Sequence, residues 1–467
     1  MTAEKEKMMD MVFARANKAL EELASYTHEE IDALCVACCR AFDREAEKLA
    51  KLAVEETGLG KASDKIGKNK GAATSALYAI NGVKTVGIIG EDPAHHVKFV
   101  GHPKGIVFCT TPTTNPNMAA FFNGLYALKG RNVFICSAHP RAKESSNRTC
   151  EIMQKAILEV GGPENVFQWL EESDSELSLE MMHRADLVLG ISNMSMSQVG
   201  YRTGKPAYGV GHGNCQTIID PEYDDFDKAV AETVLSSGFD NGLVCACTRA
   251  LITPECITDQ IVEKLKEHHV YYVDDPAIRD QIRQNVFPDG FGKIRKDLVG
   301  QSVQKVAELI GLNVPEDTSL IVVKVDTYGK EEPLCGEKLL PLMAHIVCKD
   351  VKDGIQIAKT NLQAEGIGHL SSIYTNNQEL CEYMGTELPI SRVVINYPSI
   401  QIANPKKNIG MVPTATPCSG SWVDCAISEN LGPRHFINIS RISWTYPVEE
   451  VPSEEDIWSG KAMFYNA

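Results

Sequence analysis

The sequence predicts an α/β protein made of two parallel-sheet units in tandem, with a β-hairpin ahead of the first. Three observations carry this reading. Strand-like and helical segments alternate from Gly105 to about residue 211, a second alternation follows Cys245, and two short strand-like runs joined by the polar loop "EDPA" precede both. Successive strand–helix–strand connections imply parallel strands linked by right-handed crossovers. At 467 residues the chain also exceeds what one hydrophobic core sustains.

The elements follow in order. Met9, Val12, Phe13, Ala16, Leu20 and Leu23 recur at helical spacing and predict a first helix. Thr27 and Glu30 form a capping box that opens a second, which runs to "ETGLG", where glycine can end it. Cys35 and Cys38 make a CxxC on that helix's apolar face with Ile31, Leu34 and Phe42. With no second CxxC to complete a zinc site, they read as core. "VKTVGIIG" and "HHVKFVGHP" are the hairpin strands.

The first alternation is a strand over 105–112, a helix over 117–128, the strand "NVFICSAHP", a helix over 142–161, and a strand over 164–170. Another helix, a strand over 185–192, a short helix and a strand over 205–211 complete it. The second has helices over "TDQIVEKLKEHH", "DGIQIAKTNL" and "NQELCEYMG" between the strands "SLIVVKV", "HLSSIYT" and "SRVVINYP". "RHFINISRIS" is a late strand that pairs with the hairpin or with another subunit.

A formal net charge of −16 without a basic block argues against a nucleic-acid partner. No window approaches the ~18 apolar residues of a membrane span, and the charged opening "MTAEKEKMMD" lacks signal-peptide character, so a cytoplasmic location is expected. Fifteen cysteines, an odd number, fit a reducing compartment. The adjacent pairs His95/His96 and His268/His269 lack metal-ligand spacing, and no metal is expected.

Parallel sheets bind ligands at the carboxyl ends of their strands, which directs attention to "TTPTTNPN", "SAHPRAK", "GISNMS" and "GVGHGN". Gly209, Gly211 and Gly213 make only half of GxGxxG, and "CQTIID" after them reads as strand, so the helix N-terminus of a phosphate loop is missing. In "FDNGLVCAC" a glycine-containing turn precedes Cys245, a candidate nucleophile that on its own reads more readily as a buried thiol. Cys247 points the opposite way in an extended segment and reads as structural.

Together, "PTTNP", "HPRAK", "RTGKPAYGVGHGN", "FDNGLVC", "GEKLLPLM", "AKTNLQAEGIGH" and "SRVVINYPS" resemble the CoA-acylating branch of the aldehyde dehydrogenase superfamily, over about residues 5–460. Nearest in character are the CoA-dependent succinate-semialdehyde and sulfoacetaldehyde dehydrogenases. The resemblance implies two Rossmann-like parallel-sheet α/β domains with a β-hairpin oligomerisation arm. It divides the chain into a nucleotide-binding domain over 1–225, carrying the arm 84–102, a catalytic domain over 226–420, and a segment over 421–467 that adds its strand to the arm of a homodimer or larger homo-oligomer.

By the same resemblance Cys245 is the nucleophile that carries an acyl-thioester, and Asn115 with the Cys245 N–H binds the oxyanion. Thr113, His139, Pro140, Arg141, Ser192, Asn193, Gly211, Glu337 and Leu339 contact NAD or NADP, with Glu337 on the nicotinamide ribose. Val210, Gly211 and His212 occupy the segment where hydrolytic relatives carry a water-activating glutamate, which makes coenzyme A the acyl acceptor. His212 stands where the family has a small residue. Ile191, Ser192 and Asn193 replace a "TGG" turn, and "TATPCSGSWVDC" replaces a glycine-rich stretch, so cofactor geometry and acyl pocket are expected to differ. An anionic short aldehyde would need cations or amides, for which His212, His369, Ser371 and Arg392 are candidates. Alternatives at this stage are a hydrolytic dehydrogenase with His212 as base, or a catalytically silent binding protein on the same fold.

Overall fold

The computed structural model describes residues 2–172, 174–191, 194–402 and 409–464. It opens with three helices, α1 (Ala3–Leu23), α2 (His28–Thr57) and α3 (Ala62–Ile80). The Thr27/Glu30 capping box starts α2, and Gly58, at φ 69°, ends it in the left-handed conformation that glycine adopts without cost. Cys35 and Cys38 are fully buried among Ile31, Leu34 and Phe42. The sequence does not announce α3, because buried Lys65 and Asn69 interrupt its apolar face.

Next come β1 (Gly87–Asp92) and β2 (Val97–Pro103), the expected hairpin. The first parallel unit follows: β3 (Ile106–Thr111), α4 (Pro116–Lys129), β4 (Val133–Ala138), α5 (Lys143–Glu159), β5 (Phe167–Trp169), α6 (Ser175–Arg184), β6 (Leu187–Gly190), α7 (Met194–Arg202) and β7 (Ala207–Gly209). The strands lie in the order β5-β4-β3-β6-β7, all parallel. The order reverses between β3 and β6, which makes their carboxyl ends the switch point of a doubly wound sheet.

The second unit is β8 (Cys215–Ile219), α8 (Phe226–Gly238), β9 (Thr248–Pro254), α9 (Glu255–Glu267), β10 (Val270–Val273), α10 (Pro276–Val286), α11 (Val303–Ile310), β11 (Leu320–Val325), β12 (Leu342–Cys348), α12 (Val351–Ala364), β13 (Ser371–Tyr374), α13 (Gln378–Glu387) and β14 (Val393–Ile395). Its seven parallel strands run β10-β11-β12-β9-β8-β13-β14. Because β8 pairs with β9 and β13, the chain changes sheets between Gly209 and Cys215, ahead of the expected boundary at 225.

Sequence reading passes over β9, β10 and β12. β10 has only four residues, while β9 carries Arg249 and β12 carries His345 inside otherwise apolar runs, so neither alternation nor a clean hydrophobic stretch marks them. β15 (Ile437–Ser443) pairs antiparallel with β2 of the same chain, giving the three-stranded sheet β1-β2-β15, and α14 (Glu454–Trp458) ends the regular structure. All fifteen cysteines are free thiols. Among the described residues no helix is long and apolar enough to cross a membrane.

Candidate active site

The chain leaves the carboxyl end of β7 and enters the amino end of β8 after five residues, so the carboxyl edge of the first sheet faces the amino edge of the second. The cleft between them, of about 230 Å³, is built from both edges. Asn115, Thr114 and Pro112 come from the turn after β3, Ile191 from the end of β6, and Val210, Gly211 and His212 from the β7–β8 link. Cys245 precedes β9, and Glu337 and Leu339 precede β12, its neighbour in the sheet. Turns at carboxyl ends are thus half of the cleft lining, and the candidate thiol of Cys245 lies at the amino edge opposite.

Local conformation explains why each side chain arrives there. Asn115 is the residue before α4, yet its side chain makes no capping bond and remains available to the cleft. Ahead of Cys245, Asp240, Asn241 and Gly242 all take positive φ, between 53° and 71°, which folds the chain back so that Leu243 and Cys245 line the cleft. Fully buried Arg249 locks that loop, donating to the Gly242 carbonyl (2.7 Å) and the Val244 carbonyl (3.0 Å). Gly213 abuts the Cys245 backbone so closely that a Cβ there would lie 2.0 Å from the Cys245 carbonyl oxygen.

Cys245 is partly exposed to the cleft. Burial beside apolar walls, with the Glu337 carboxylate adding to it, pushes its thiol up to about 11, against the pull of Arg249, Arg392 and its own backbone N–H. The resting group is a thiol. Cys247 is fully buried, and its sulfur meets the Phe239 carbonyl at 3.7 Å.

Glu337 holds the mouth of the cleft. One oxygen accepts from the Gly213 N–H (3.2 Å), the other meets His212 Nδ1 (3.1 Å), and its own N–H donates to Glu365 (2.7 Å). That carboxylate pair raises half-exposed His212 to about 9, chiefly through the Glu337 bond, so the imidazole is cationic at neutral pH. Burial raises Glu365 in turn.

Other sequence candidates sit elsewhere. Thr113 belongs to the Asn115 turn, but its neighbours Pro112 and Thr114 are the ones that line the cleft. His139, Pro140 and Arg141 form the turn after β4; the His139 ring accepts from the Arg141 N–H (3.1 Å), Arg141 donates to the Thr57 carbonyl, and burial lowers His139. Ser192 and Asn193 lie outside the described residues. His369, Ser371 and Arg392 are buried and do not line the cleft. Arg392 donates to Asn430 and to the His369 and Cys418 carbonyls, a set of bonds that braces the backbone and leaves no fork for an anionic substrate. Burial and Arg392 drive His369 down to about 3, which keeps its ring neutral.

Sequence reading missed Lys65, Lys68, Asp240, Arg249, Glu365 and the close packing at Gly213. The one signal for the lysines was their i, i+3 spacing in an alanine-rich helix. Among the described residues no cluster of His, Cys, Asp and Glu is arranged to hold a metal ion.

Residues 1–290 match the model of the aldehyde dehydrogenase family. The chain is 38% identical over 444 residues to a succinate-semialdehyde dehydrogenase (acetylating) of Clostridium kluyveri, covering 95% of this chain and 97% of the relative. It is 32% identical over 447 residues to a sulfoacetaldehyde dehydrogenase of Acholeplasma sp., covering 95% and 92%. It spans about half (48%) of the bifunctional aldehyde-alcohol dehydrogenase AdhE of Escherichia coli K12, at 35% identity over 92% of this chain. The crystal structure of an acetylating aldehyde dehydrogenase from Geobacillus thermoglucosidasius superposes with a TM-score of 0.91 at 30% identity, covering 97% of this chain and 99% of that one. A thiol and an asparagine side chain free of any helix-capping bond, lining one cleft between two parallel sheets, agree with these likenesses, and the chain belongs to the acylating branch of the aldehyde dehydrogenase family.

Proposed function

We propose that the protein oxidises a short aldehyde with coenzyme A and NAD+ or NADP+ to acyl-CoA and NAD(P)H through a thioester on Cys245. The observation that carries this reading is that Cys245 and Asn115 line one cleft together with Val210, Gly211 and His212, the segment where the resemblance puts the water-activating glutamate of hydrolytic relatives and where this chain has no carboxylate. Cys245 loses its proton and its sulfur attacks the aldehyde carbon; the new oxyanion is met by the Asn115 amide and the Cys245 N–H. A bound nicotinamide supplies the hydride acceptor that converts this thiohemiacetal into a thioester. The residues present fit that group: the open switch point lies beside Cys245, and Glu337 presents carboxylate oxygens that a ribose diol can share with Gly213 and His212. The CoA thiolate then displaces Cys245, which leaves as thiolate and regains a proton.

Val210 gives water no base, so the thioester waits for a thiol. The rival hydrolytic reading needs His212 as that base, but an imidazole held cationic to about pH 9 by Glu337 is already protonated. As for the substrate, His212 is the cationic side chain lining the described cleft, whose remaining walls are mainly apolar. Succinate semialdehyde and sulfoacetaldehyde, named for two relatives, are the acids to try against neutral short aldehydes. NADH or NADPH release is measured for each aldehyde with and without CoA, in the native protein and in Cys245→Ala. CoA-dependent turnover abolished in the variant is expected; turnover that survives it, or that ignores CoA, refutes the proposal.

A further inference from the structure

Two lysines of α3 reach the cleft from behind, one turn apart on the same face. Lys68 Nζ donates to Asn115 Oδ1 and to Asp240 Oδ2 (3.0 Å). Lys65 Nζ donates to the same Asp240 oxygen (2.8 Å) and to the Thr114 carbonyl (3.1 Å). Asp240 is fully buried, and its other oxygen takes the Lys61 N–H (2.8 Å). Its own N–H donates to Asp64 (2.9 Å). One buried carboxylate therefore ties α3 to the loop that carries Cys245, while its two ammonium partners tie α3 to the turn that carries Asn115.

This network has a chemical direction. An ammonium only donates, so the Asn115 atom that meets Lys68 is the amide oxygen, and amide planarity puts Nδ2 on the opposite edge. Lys68 brings its ammonium into a nearly dry site, its side chain 9% exposed, with Asp240 and Asp64 as the counter-charges of the lysine pair. A cation bonded to an amide oxygen draws density from the nitrogen and makes its N–H groups stronger donors. Asn115 is otherwise free to rotate, because it makes no capping bond with α4.

We propose that Lys68 is a positioning residue for the oxyanion site: it fixes the Asn115 amide with its NH2 toward the Cys245 cleft and polarises it for the negative oxygen of the thiohemiacetal. The role rests on the reading of Asn115 given above. It acts on the chemical step and leaves ground-state binding of the aldehyde alone.

The test uses the full-length protein and single-turnover NADH formation with saturating CoA, alongside KM for the aldehyde and the thermal midpoint. N115A is expected to slow the step by about 10²-fold or more, the scale of losing one oxyanion donor. K68M, which keeps length but loses charge and donor, is expected to slow it at least about tenfold with KM changed less than about twofold, and the N115A/K68M double variant to be no slower than N115A. K68R, keeping a cationic donor, recovers most of the rate. K65M, which loses the Asp240 contact but not the amide contact, lowers the thermal midpoint more than the rate. If K68M does not fold, K68Q gives the same reading. A K68M rate equal to the native one while N115A is impaired overturns the lysine's role alone, as does a double variant whose losses multiply. Undiminished turnover in N115A overturns the Asn115 reading and this role with it.

Discussion

Replacing Gly213 by alanine probes the tightest contact in the cleft. Gly213 does not need a positive φ, so any penalty is one of space alone. The added Cβ would stand 2.0 Å from the Cys245 carbonyl oxygen, 2.6 Å from its carbonyl carbon and 2.8 Å from its Cβ, all under the 3.0 Å below which a Cβ essentially never approaches another heavy atom. The first two atoms are backbone and no rotamer relieves them. The segment bearing Cys245 must therefore retreat by about 1 Å, and a misplacement of that size in a reacting group costs about 10²-fold in rate. Overpacking adds about 1–3 kcal/mol of destabilisation. The Gly213 N–H to Glu337 moves as well, so KM for the nucleotide should rise together with the fall in kcat. Steady-state kinetics of NADH formation and a melting curve on the same preparation provide the measurement. A G213A protein with native kcat and native Cys245 alkylation by iodoacetamide would show that this packing does not set the position of Cys245.

Val210→Glu returns a carboxylate to the segment that activates water in hydrolytic relatives, and CoA-independent NADH formation should appear where the native protein shows little; its absence would mean that Val210 does not face the thioester carbonyl. Alkylation of Cys245 should be slow at pH 7 and rise about tenfold per pH unit toward its midpoint near 11, and a plateau already below pH 8 would contradict a thiol desolvated in the free enzyme. His345 and His369 are buried neutral, with midpoints lowered to about 4 and about 3. Because the unfolded histidines bind protons near pH 6.5, the stability they contribute is complete above that pH. It is lost as pH falls through the window between 6.5 and those values, by up to about 1.4 kcal/mol per pH unit for each. Denaturant midpoints at pH 7.5 and 5.5 test this, with His369→Gln flattening the slope.

Much of the site is legible in the chain because its parts are local. "PTTNP" specifies a turn that leaves an asparagine before a helix, and "FDNGLVC" specifies a loop that three left-handed residues can fold back. Capping at Thr27 and Gly58 is equally local, and the structure repeats it residue for residue. Arg392 and His369 illustrate the reverse: polar residues in a motif-rich stretch read as substrate contacts, but their burial and carbonyl partners make them braces for the backbone behind the cleft. β9 and α3 escaped because charged side chains that satisfy themselves internally, Arg249 and Lys65, break the apolar periodicity on which such readings depend.

Sequence by itself determined most of the alternation of strands and helices, the hairpin and the capping signals, since each depends on neighbours within a few residues. Tertiary structure alone decided that the amino edge of one sheet would face the carboxyl edge of the other, and that Glu337 would pair with His212. It also decided that Lys65 and Lys68 would meet Asp240 from some 170 positions away. Such pairings are set by how two completed sheets pack, and electrostatic and steric contacts across a cleft leave no periodic trace in the order of residues along the chain.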